Sequence, residues 1–127
     1  MDLGRITDER GSLTYIQRGV VLPFEIKRIY YLYDTEPSRP RGAHAHLELE
    51  QLMIAVTGSF DVVLDDGRET VRHRLSSPSV GLYVSPMIWR DLRDFSFGAV
   101  CLVLASRRFD EGDYVRDYDK FLRLSSV

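Results

Sequence analysis

The sequence is poor in cysteine, since only Cys101 among its 127 residues carries a thiol. A single thiol cannot form a disulfide within the chain, which excludes a disulfide-stabilised scaffold and favours a reducing compartment. Cys101 lies in the apolar run 99–105. Because a reactive cysteine needs an electropositive and partly exposed setting, we expect this residue to belong to the core.

The chain also lacks a strong charge of either sign, with a formal net charge of -2 at pH 7. General nucleic-acid and membrane-surface binders need a basic face, so the charge balance argues against both classes. An anionic ligand would have to be held by a few specific arginines. No window approaches the length of a membrane span, and Met1–Arg5 has no apolar stretch behind its charge. We therefore expect no signal peptide and a cytoplasmic protein.

What the chain does have is the composition of an ordinary globular domain. Hydrophobic residues make up 44% of it and charged residues 28%, and its length allows an apolar core without disulfides or a structural metal. No internal repeat, low-complexity tract or linker is visible. We expect residues 1–127 to form one domain.

Short strand-like segments rich in branched and aromatic residues follow one another between turn signals. The predicted strands are 12–16, 24–33, 51–56, 60–64, 70–75, 81–84 and 99–105. The run Asp65-Asp66-Gly67 is a strong tight-turn signal between two of them. Many short strands at regular spacing predict an all-β sandwich or barrel of the jelly-roll type.

Only the end of the chain has helical periodicity. Tyr114, Tyr118, Phe121 and Leu122 would share one helix face. We expect the charged residues between Asp110 and Asp119 to form the solvated face and the cap of this C-terminal helix.

The most informative stretch is 41–46, Arg-Gly-Ala-His-Ala-His. In a strand, residues two apart point to the same face, so His44 and His46 should project together. Two of the three histidines of the chain would then share one small patch. In isolation, such a pair is at least as often a plain surface feature.

The surrounding spacing resembles the first cupin motif, which is His-x-His, four residues, an acid, six residues and glycine. Here Gln51 stands at the position of the acid, and Gly58 completes the motif. Arg90 stands at about the place where the second cupin motif supplies a further histidine ligand. A neutral amide and a permanent cation thus replace two metal ligands. Metal sites usually keep three or four protein ligands, so we expect no metal here.

A closer resemblance, over nearly the whole chain, is to the sugar-nucleotide 3,4-ketoisomerases, small WxcM-like cupins that act on dTDP-4-keto-6-deoxyglucose. The matching segments are 8–13, 24–31, 41–46, 58–67, 81–84, 86–89 and 116–119. The resemblance implies a cupin jelly-roll homodimer that works without metal or organic cofactor. It also implies a product that is a dTDP-3-keto-6-deoxyhexose, formed through an enediol in the biosynthesis of unusual deoxy and amino sugars.

Moving a ketone from C4 to C3 requires a base that takes the C3 proton and an acid that returns a proton to C4. Histidine suits this work because its ordinary pKa lies near working pH. By position in the family motif, His44 is the expected base on carbon. His46 and Tyr30 are expected to move the oxygen-bound proton or to stabilise the oxyanion. Spacing alone leaves open which histidine acts on carbon.

The diphosphate of such a substrate needs cations with fork geometry, which favours arginine over lysine. Arg41 lies beside the histidines, and Arg28 shares a strand face with Tyr30. Arg10 and Arg90 would reach the same cavity in a jelly roll. Gln51 would either hydrogen-bond a sugar hydroxyl or orient a histidine.

Three alternatives remain at this stage. The first is a cupin that still uses a metal, and the second is a sugar-nucleotide-binding cupin without turnover. The third is a 3,5-epimerase, which would need a histidine-aspartate dyad, and no aspartate stands in an evident position for one. The nucleotide base, the C4 stereochemistry of the product and the downstream sugar are also left open.

Overall fold

The computed structural model describes residues 1–19 and 22–126, which form an antiparallel β-sandwich. The strands are β1 Ile6–Asp8, β2 Gly11–Leu13, β3 Arg28–Leu32, β4 Arg41–His46, β5 Gln51–Thr57, β6 Phe60–Asp65, β7 Thr70–Leu75, β8 Gly81–Val84, β9 Trp89–Arg93, β10 Val100–Ala105 and β11 Tyr114–Val115. A single 3-10 turn covers Glu111–Asp113, and helix α1 covers Tyr118–Ser125.

The strands form two sheets that face each other and one separate hairpin. One sheet has the order β3-β10-β5-β8 and the other the order β11-β4-β9-β6-β7. Strands β1 and β2 pair only with each other as the hairpin. The expected all-β jelly roll with a short C-terminal helix is confirmed.

The core lies between the two sheets, because alternate residues of each strand point inward. Met53 and Val103 from one sheet pack with Phe60, Val62 and other residues of the opposite sheet. Cys101 belongs to this core, with no exposed surface, as predicted. Burial raises the pKa of its thiol to about 12, so the thiol is inert at neutral pH.

The outer face of each sheet is covered in a different way. On the four-stranded sheet, the N-terminal segment places Leu3, Leu22 and Phe24 over the middle of the sheet. On the five-stranded sheet, Phe121 of α1 packs with Trp89. No helix in the described residues is long and apolar enough to span a membrane.

The end of the chain differs from the prediction of a helix that includes Tyr114. This residue belongs to β11, where it pairs with His46 of β4. The helix begins only at Tyr118, because the side chain of Asp117 accepts the backbone N–H of Asp119 and caps it. The spacing of the aromatic residues correctly predicted α1, but Tyr114 and Val115 before it form the edge strand β11.

Two predicted strands are longer than the observed ones. The structure has Gly11–Leu13 instead of 12–16, and Arg28–Leu32 instead of 24–33. The residues before β3 include Phe24, which covers the sheet instead of extending it. For 24–33, apolar composition predicts burial, but it does not distinguish a strand from a covering loop.

Candidate active site

A cavity of about 320 Å³ opens between the two sheets. This volume lies within the usual range of small-molecule sites. Side chains from both sheets line it, and its polar lining residues are Arg28, Tyr30, Arg41, His44, Arg90, Tyr114 and Arg116. Most of the residues predicted for the site are therefore brought together here.

A bulge in β4 brings Arg41 and His44 to the same cavity, although they are three residues apart. In a regular strand such residues point to opposite faces. Here the pairing register with β9 shifts between Gly42 and His44, and Ala43 has a φ of 52°. Gly42 also has a positive φ, and a Cβ there would lie 3.0 Å from the carbonyl oxygen of Arg90. A glycine at this position therefore allows the bulge to approach β9.

His44 lines the cavity with one ring nitrogen already committed. Its Nδ1 lies 2.8 Å from the carbonyl oxygen of Gly42. Because a carbonyl only accepts, Nδ1 carries the hydrogen and Nε2 keeps a free lone pair. Burial, and to a lesser extent the charge of Arg90, lowers the pKa of His44 to about 4. At neutral pH the ring is therefore a neutral base.

His46 lies behind His44 and is fully buried. The ring of Tyr114 lies 4.3 Å from its ring, and the ring of His44 lies 4.8 Å away. Burial and the charge of Arg90 lower its pKa to about 2, so the ring stays neutral although the carboxylate of Asp113 accepts its Nδ1–H at 3.1 Å. In contrast to the prediction, His46 is not among the cavity-lining residues.

Asp113 was predicted to lie on a solvated helix face, but its side chain is buried. Its carboxylate accepts the backbone N–H groups of Glu48 at 2.8 Å and Leu49 at 3.3 Å as well as the N–H of His46. A histidine-aspartate pair is thus present, although none was evident in the sequence. The partners are 67 residues apart, so spacing carries no signal for it.

Tyr30 ends a chain of hydrogen bonds that joins the two sheets. Its hydroxyl oxygen accepts from Nε2 of Gln51 at 2.9 Å, and Oε1 of Gln51 accepts from Nη1 of Arg90. Burial raises the pKa of Tyr30, so the phenol is neutral at pH 7. Gln51 therefore contacts a tyrosine and an arginine, and not a histidine as one reading of the sequence had it.

The arginines of the cavity differ in their environment. Arg28 packs over the ring of Tyr30 at 5.0 Å, and its Nε and Nη2 atoms are buried without a hydrogen-bond partner in the described part of the chain. Arg41 is exposed at the mouth. Arg116, which the sequence did not single out, lines the cavity and pairs with Glu111 at 2.7 Å. Buried guanidinium nitrogens without a partner are suited to an anionic ligand.

Arg10 does not line this cavity, in contrast to the prediction. It sits at the turn of the β1–β2 hairpin with its side chain 86% exposed, and it pairs with Asp8 at 2.8 Å. The physical reason is the hairpin itself, which pairs with neither main sheet.

The donor set of the site does not suit a metal ion. Within residues 1–19 and 22–126, no group of three His, Cys, Asp or Glu side chains is placed to hold one. The two residues that depart from the cupin motif, Gln51 and Arg90, bind each other instead. The positions of two expected ligands are thus used for an internal hydrogen bond.

Comparison with known proteins agrees with this geometry. The FdtA family, described as WxcM-like, C-terminal, matches residues 1–126. A TDP-4-oxo-6-deoxy-alpha-D-glucose-3,4-oxoisomerase of Aneurinibacillus thermoaerophilus is 50% identical over 117 residues, which cover 92% of this chain and 84% of the relative.

Among solved structures, a 3,4-ketoisomerase from Helicobacter canadensis is 49% identical and superposes with a TM-score of 0.96 over 99% of this chain and 95% of that one. A histidine-to-asparagine variant of the 3,4-ketoisomerase from Thermoanaerobacterium thermosaccharolyticum, in complex with TDP-4-keto-6-deoxyglucose, is 39% identical. It superposes with a TM-score of 0.96 over 98% of this chain and 91% of that one.

Proposed function

Because the chain belongs to the FdtA family of WxcM-like, C-terminal proteins, we propose that it is a sugar-nucleotide 3,4-ketoisomerase, an isomerase that converts dTDP-4-keto-6-deoxyglucose to a dTDP-3-keto-6-deoxyhexose. The relative that is 50% identical carries the name of this reaction. The observation that supports it most within the chain is the free Nε2 of His44 in a cavity shared with the neutral phenol of Tyr30.

The first half of the reaction is the removal of the C3 proton by Nε2 of His44. The electrons of the C3–H bond form the C3–C4 double bond, and negative charge develops on O4. Tyr30 donates its proton to O4, which leaves a neutral enediol and a tyrosinate. The nearby charges of Arg28 and Arg90 favour that tyrosinate, since both act to lower the pKa of Tyr30.

The second half reverses the proton movements at the neighbouring atoms. The tyrosinate takes the proton of the O3 hydroxyl, the C3 carbonyl forms, and the imidazolium of His44 returns a proton to C4. The low pKa of His44 makes its imidazolium a strong acid for this step. The net change is one hydrogen moved from C3 to C4 and one from O3 to O4, so no oxidant or metal is needed.

His46 has a supporting place in this scheme. Its ring is held by Asp113 and packs edge-on against His44, which limits the rotation of the base. Arg41 and Arg28 are the proposed ligands of the diphosphate. Arg90 acts through its charge and through Gln51, and its pKa, lowered by burial to about 10, still leaves it protonated at pH 7.

We also propose that the protein is a homodimer. Ile29 and Tyr31 lie on edge strand β3 and are 58% and 59% exposed. The alternate residues of the strand, Arg28, Tyr30 and Leu32, line the cavity on the opposite face. The β1–β2 hairpin adds an exposed apolar surface through Ile6 and Leu13. A second copy would bury both surfaces. Light scattering should give twice the chain mass, and Tyr31→Lys should give monomer.

Arg10 remains a proposed substrate contact only within this dimer. Its side chain is exposed and does not line the cavity of its own chain, so it would have to serve the cavity of the second copy. We further propose that residues 1–127 act as one catalytic domain in the cytoplasm, where the single thiol stays reduced.

The test of the proposed reaction is turnover of dTDP-4-keto-6-deoxyglucose by protein that has been treated with chelator and dialysed. Formation of the 3-keto sugar at an undiminished rate is the expected result. Activity that returns only with added metal would favour a metal-dependent cupin. Binding of TDP without any exchange of sugar protons would favour a non-catalytic binding protein.

A further inference from the structure

The two residues that depart from the cupin metal motif do more than leave a metal site unformed. Arg90 of β9 and Gln51 of β5 belong to opposite sheets, and their side chains meet across the sandwich. Both are almost completely buried, with 1% and 0% of their surfaces exposed. Gln51 then reaches Tyr30 on β3 at 2.9 Å, across the intervening strand β10.

The direction of each bond in this chain is fixed by the arginine. A guanidinium only donates, so the amide must present its oxygen to Arg90. The amide nitrogen of Gln51 therefore faces the hydroxyl oxygen of Tyr30 and donates to it. Because that oxygen accepts from Gln51, the hydroxyl hydrogen of Tyr30 is free to point elsewhere, and Tyr30 lines the cavity.

Arg90 is itself held in place at both ends. Its Nη2 donates to the carbonyl oxygen of Ile88 at 2.9 Å. Its backbone pairs with His44, the proposed base. The same residue thus connects the strand of the base to the hydroxyl of Tyr30 on the opposite sheet, so the two groups that move protons are positioned by one rigid connection.

We propose that Gln51, oriented by Arg90, is a positioning residue that directs the hydroxyl hydrogen of Tyr30 toward the sugar oxygen in the cavity. The inference rests on the proposed ketoisomerase function, and it explains what orients the hydroxyl of the proton donor, Tyr30. Without Arg90 the amide could turn over, its oxygen would accept from Tyr30, and the hydroxyl hydrogen would be withdrawn from the substrate.

Gln51→Glu is the decisive variant. A carboxylate still accepts from Arg90, so the fold and the bond between the sheets should persist. Its other oxygen can only accept, so the hydroxyl of Tyr30 must donate to that oxygen and can no longer donate to the sugar. Removal of one aimed donor costs about 100-fold to 1000-fold in kcat. We expect a kcat loss of about 100-fold with KM changed by less than about 3-fold.

Gln51→Met is the matched control, because it removes the amide but leaves the hydroxyl hydrogen of Tyr30 free. We expect its kcat to fall by no more than about 10-fold, well short of the loss of one aimed donor. In a Tyr30→Phe background, Gln51→Glu should cost less than about 3-fold, since the hydroxyl that it misdirects is already absent. A loss in that background as large as in the wild type would overturn the proposal, as would near-normal kcat in folded Gln51→Glu.

A measurement without substrate separates this inference from the proposed function. With tyrosine labelled at the ζ carbon, NMR titration should show a higher Tyr30 pKa in Gln51→Glu than in wild type, because a carboxylate opposes the tyrosinate that the amide favours. An unchanged Tyr30 pKa would contradict the positioning role. If the Tyr30 pKa differs between the two proteins as expected, but wild type does not turn over the dTDP sugar, the positioning role stands and the proposed function is refuted.

Discussion

The cavity holds two groups of residues whose environments differ. In the first group, which we call the catalytic side, His44, Tyr30, Gln51 and Arg90 are bonded to partners within the chain. In the second group, which we call the arginine side, Arg28 has two buried nitrogen atoms without a partner in the described residues. In the proposed mechanism, the groups that act on reacting atoms are thus fixed before substrate arrives, whereas the proposed ligands of the anion are left to be satisfied by it.

The comparison predicts a division between kinetic parameters. Changes on the catalytic side remove interactions made in the transition state and should lower kcat. Changes on the arginine side remove interactions made with the phosphates throughout the reaction and should raise KM.

The largest effect is expected from His44→Asn. The amide cannot take the C3 proton, so kcat should fall by about 100-fold to 10000-fold, the range of a lost general base. Steady-state assays with the 4-keto substrate measure the loss, and circular dichroism checks the fold. His73→Asn is the control, because His73 lies on β7 outside this cavity. Equal losses in the two variants would show that the effect is not specific to the cavity.

The arginine side should give a smaller effect of a different kind. Arg28→Ala and Arg41→Ala each remove charge-assisted hydrogen bonds worth about 1.5–3 kcal/mol, or about 10-fold to 100-fold in affinity. We expect KM and the Kd for TDP to rise together while kcat changes little. Arg68→Ala, on the exposed turn after Asp66, should leave both constants unchanged. If Arg28→Ala or Arg41→Ala instead lowered mainly kcat, the proposed distinction between the catalytic side and the arginine side would be wrong.

Asp113→Asn tests the support behind the catalytic side. The carboxylate accepts three hydrogen bonds, from His46 and from two backbone N–H groups. The amide of asparagine has only one acceptor oxygen, so at least one of these donors loses its partner. Leaving a buried donor unpaired costs about 1–3 kcal/mol of stability. Denaturant unfolding measures this loss. Asp110→Asn is the control, since an exposed asparagine still caps the 3-10 turn. A fully stable Asp113→Asn would show that the pair is dispensable.

The pH dependence should follow the lowered pKa values of His44 and His46. The folded-state pKa of His44 is about 4, below the ordinary value of 6.5, so protons bind the unfolded chain preferentially. Stability is therefore full above about pH 6.5 and falls as the pH drops toward 4. Calorimetry at pH 8 and pH 5 should show a lower Tm at pH 5, with a smaller difference in His44→Asn. A Tm that rises on acidification would contradict the neutral state of these rings.

The smallest effect concerns Cys101, which lies in the core away from both sides. Its thiol is fully buried with a pKa of about 12, so alkylating reagents should leave the native protein unlabelled and active. Mass spectrometry after incubation at pH 8 checks this. Rapid labelling of the folded protein would show that the core opens.

Local patterns predicted much of this molecule. The strands around Gln51, Phe60 and Thr70 lie where alternation and the Asp65-Asp66-Gly67 turn placed them. The histidine pair and the substitution of two metal ligands were also visible, because the cupin motif is contiguous in sequence for its first half.

Other features depend on contacts between distant residues. Asp113 meets His46 across 67 residues, and Gln51 meets Arg90 across 39. Nothing in local spacing indicates which of several aspartates is buried. The β4 bulge, which turns Arg41 toward the cavity beside His44, is set by pairing with β9. Tyr114 has helical spacing to Tyr118 and Phe121, so the sequence predicted a helix there. A two-residue strand is too short to show a period of its own, so the pattern did not indicate β11.

The most direct test of the account is an NMR time course of wild type and His44→Asn with dTDP-4-keto-6-deoxyglucose in deuterated water. If His44 carries hydrogen between the two carbons, wild type should give the 3-keto sugar, with deuterium at C4 wherever the imidazolium exchanges with solvent. Folded His44→Asn should leave the C3 proton in place. Isomerisation at a normal rate by His44→Asn, or an unchanged substrate with wild type, would contradict the central claim.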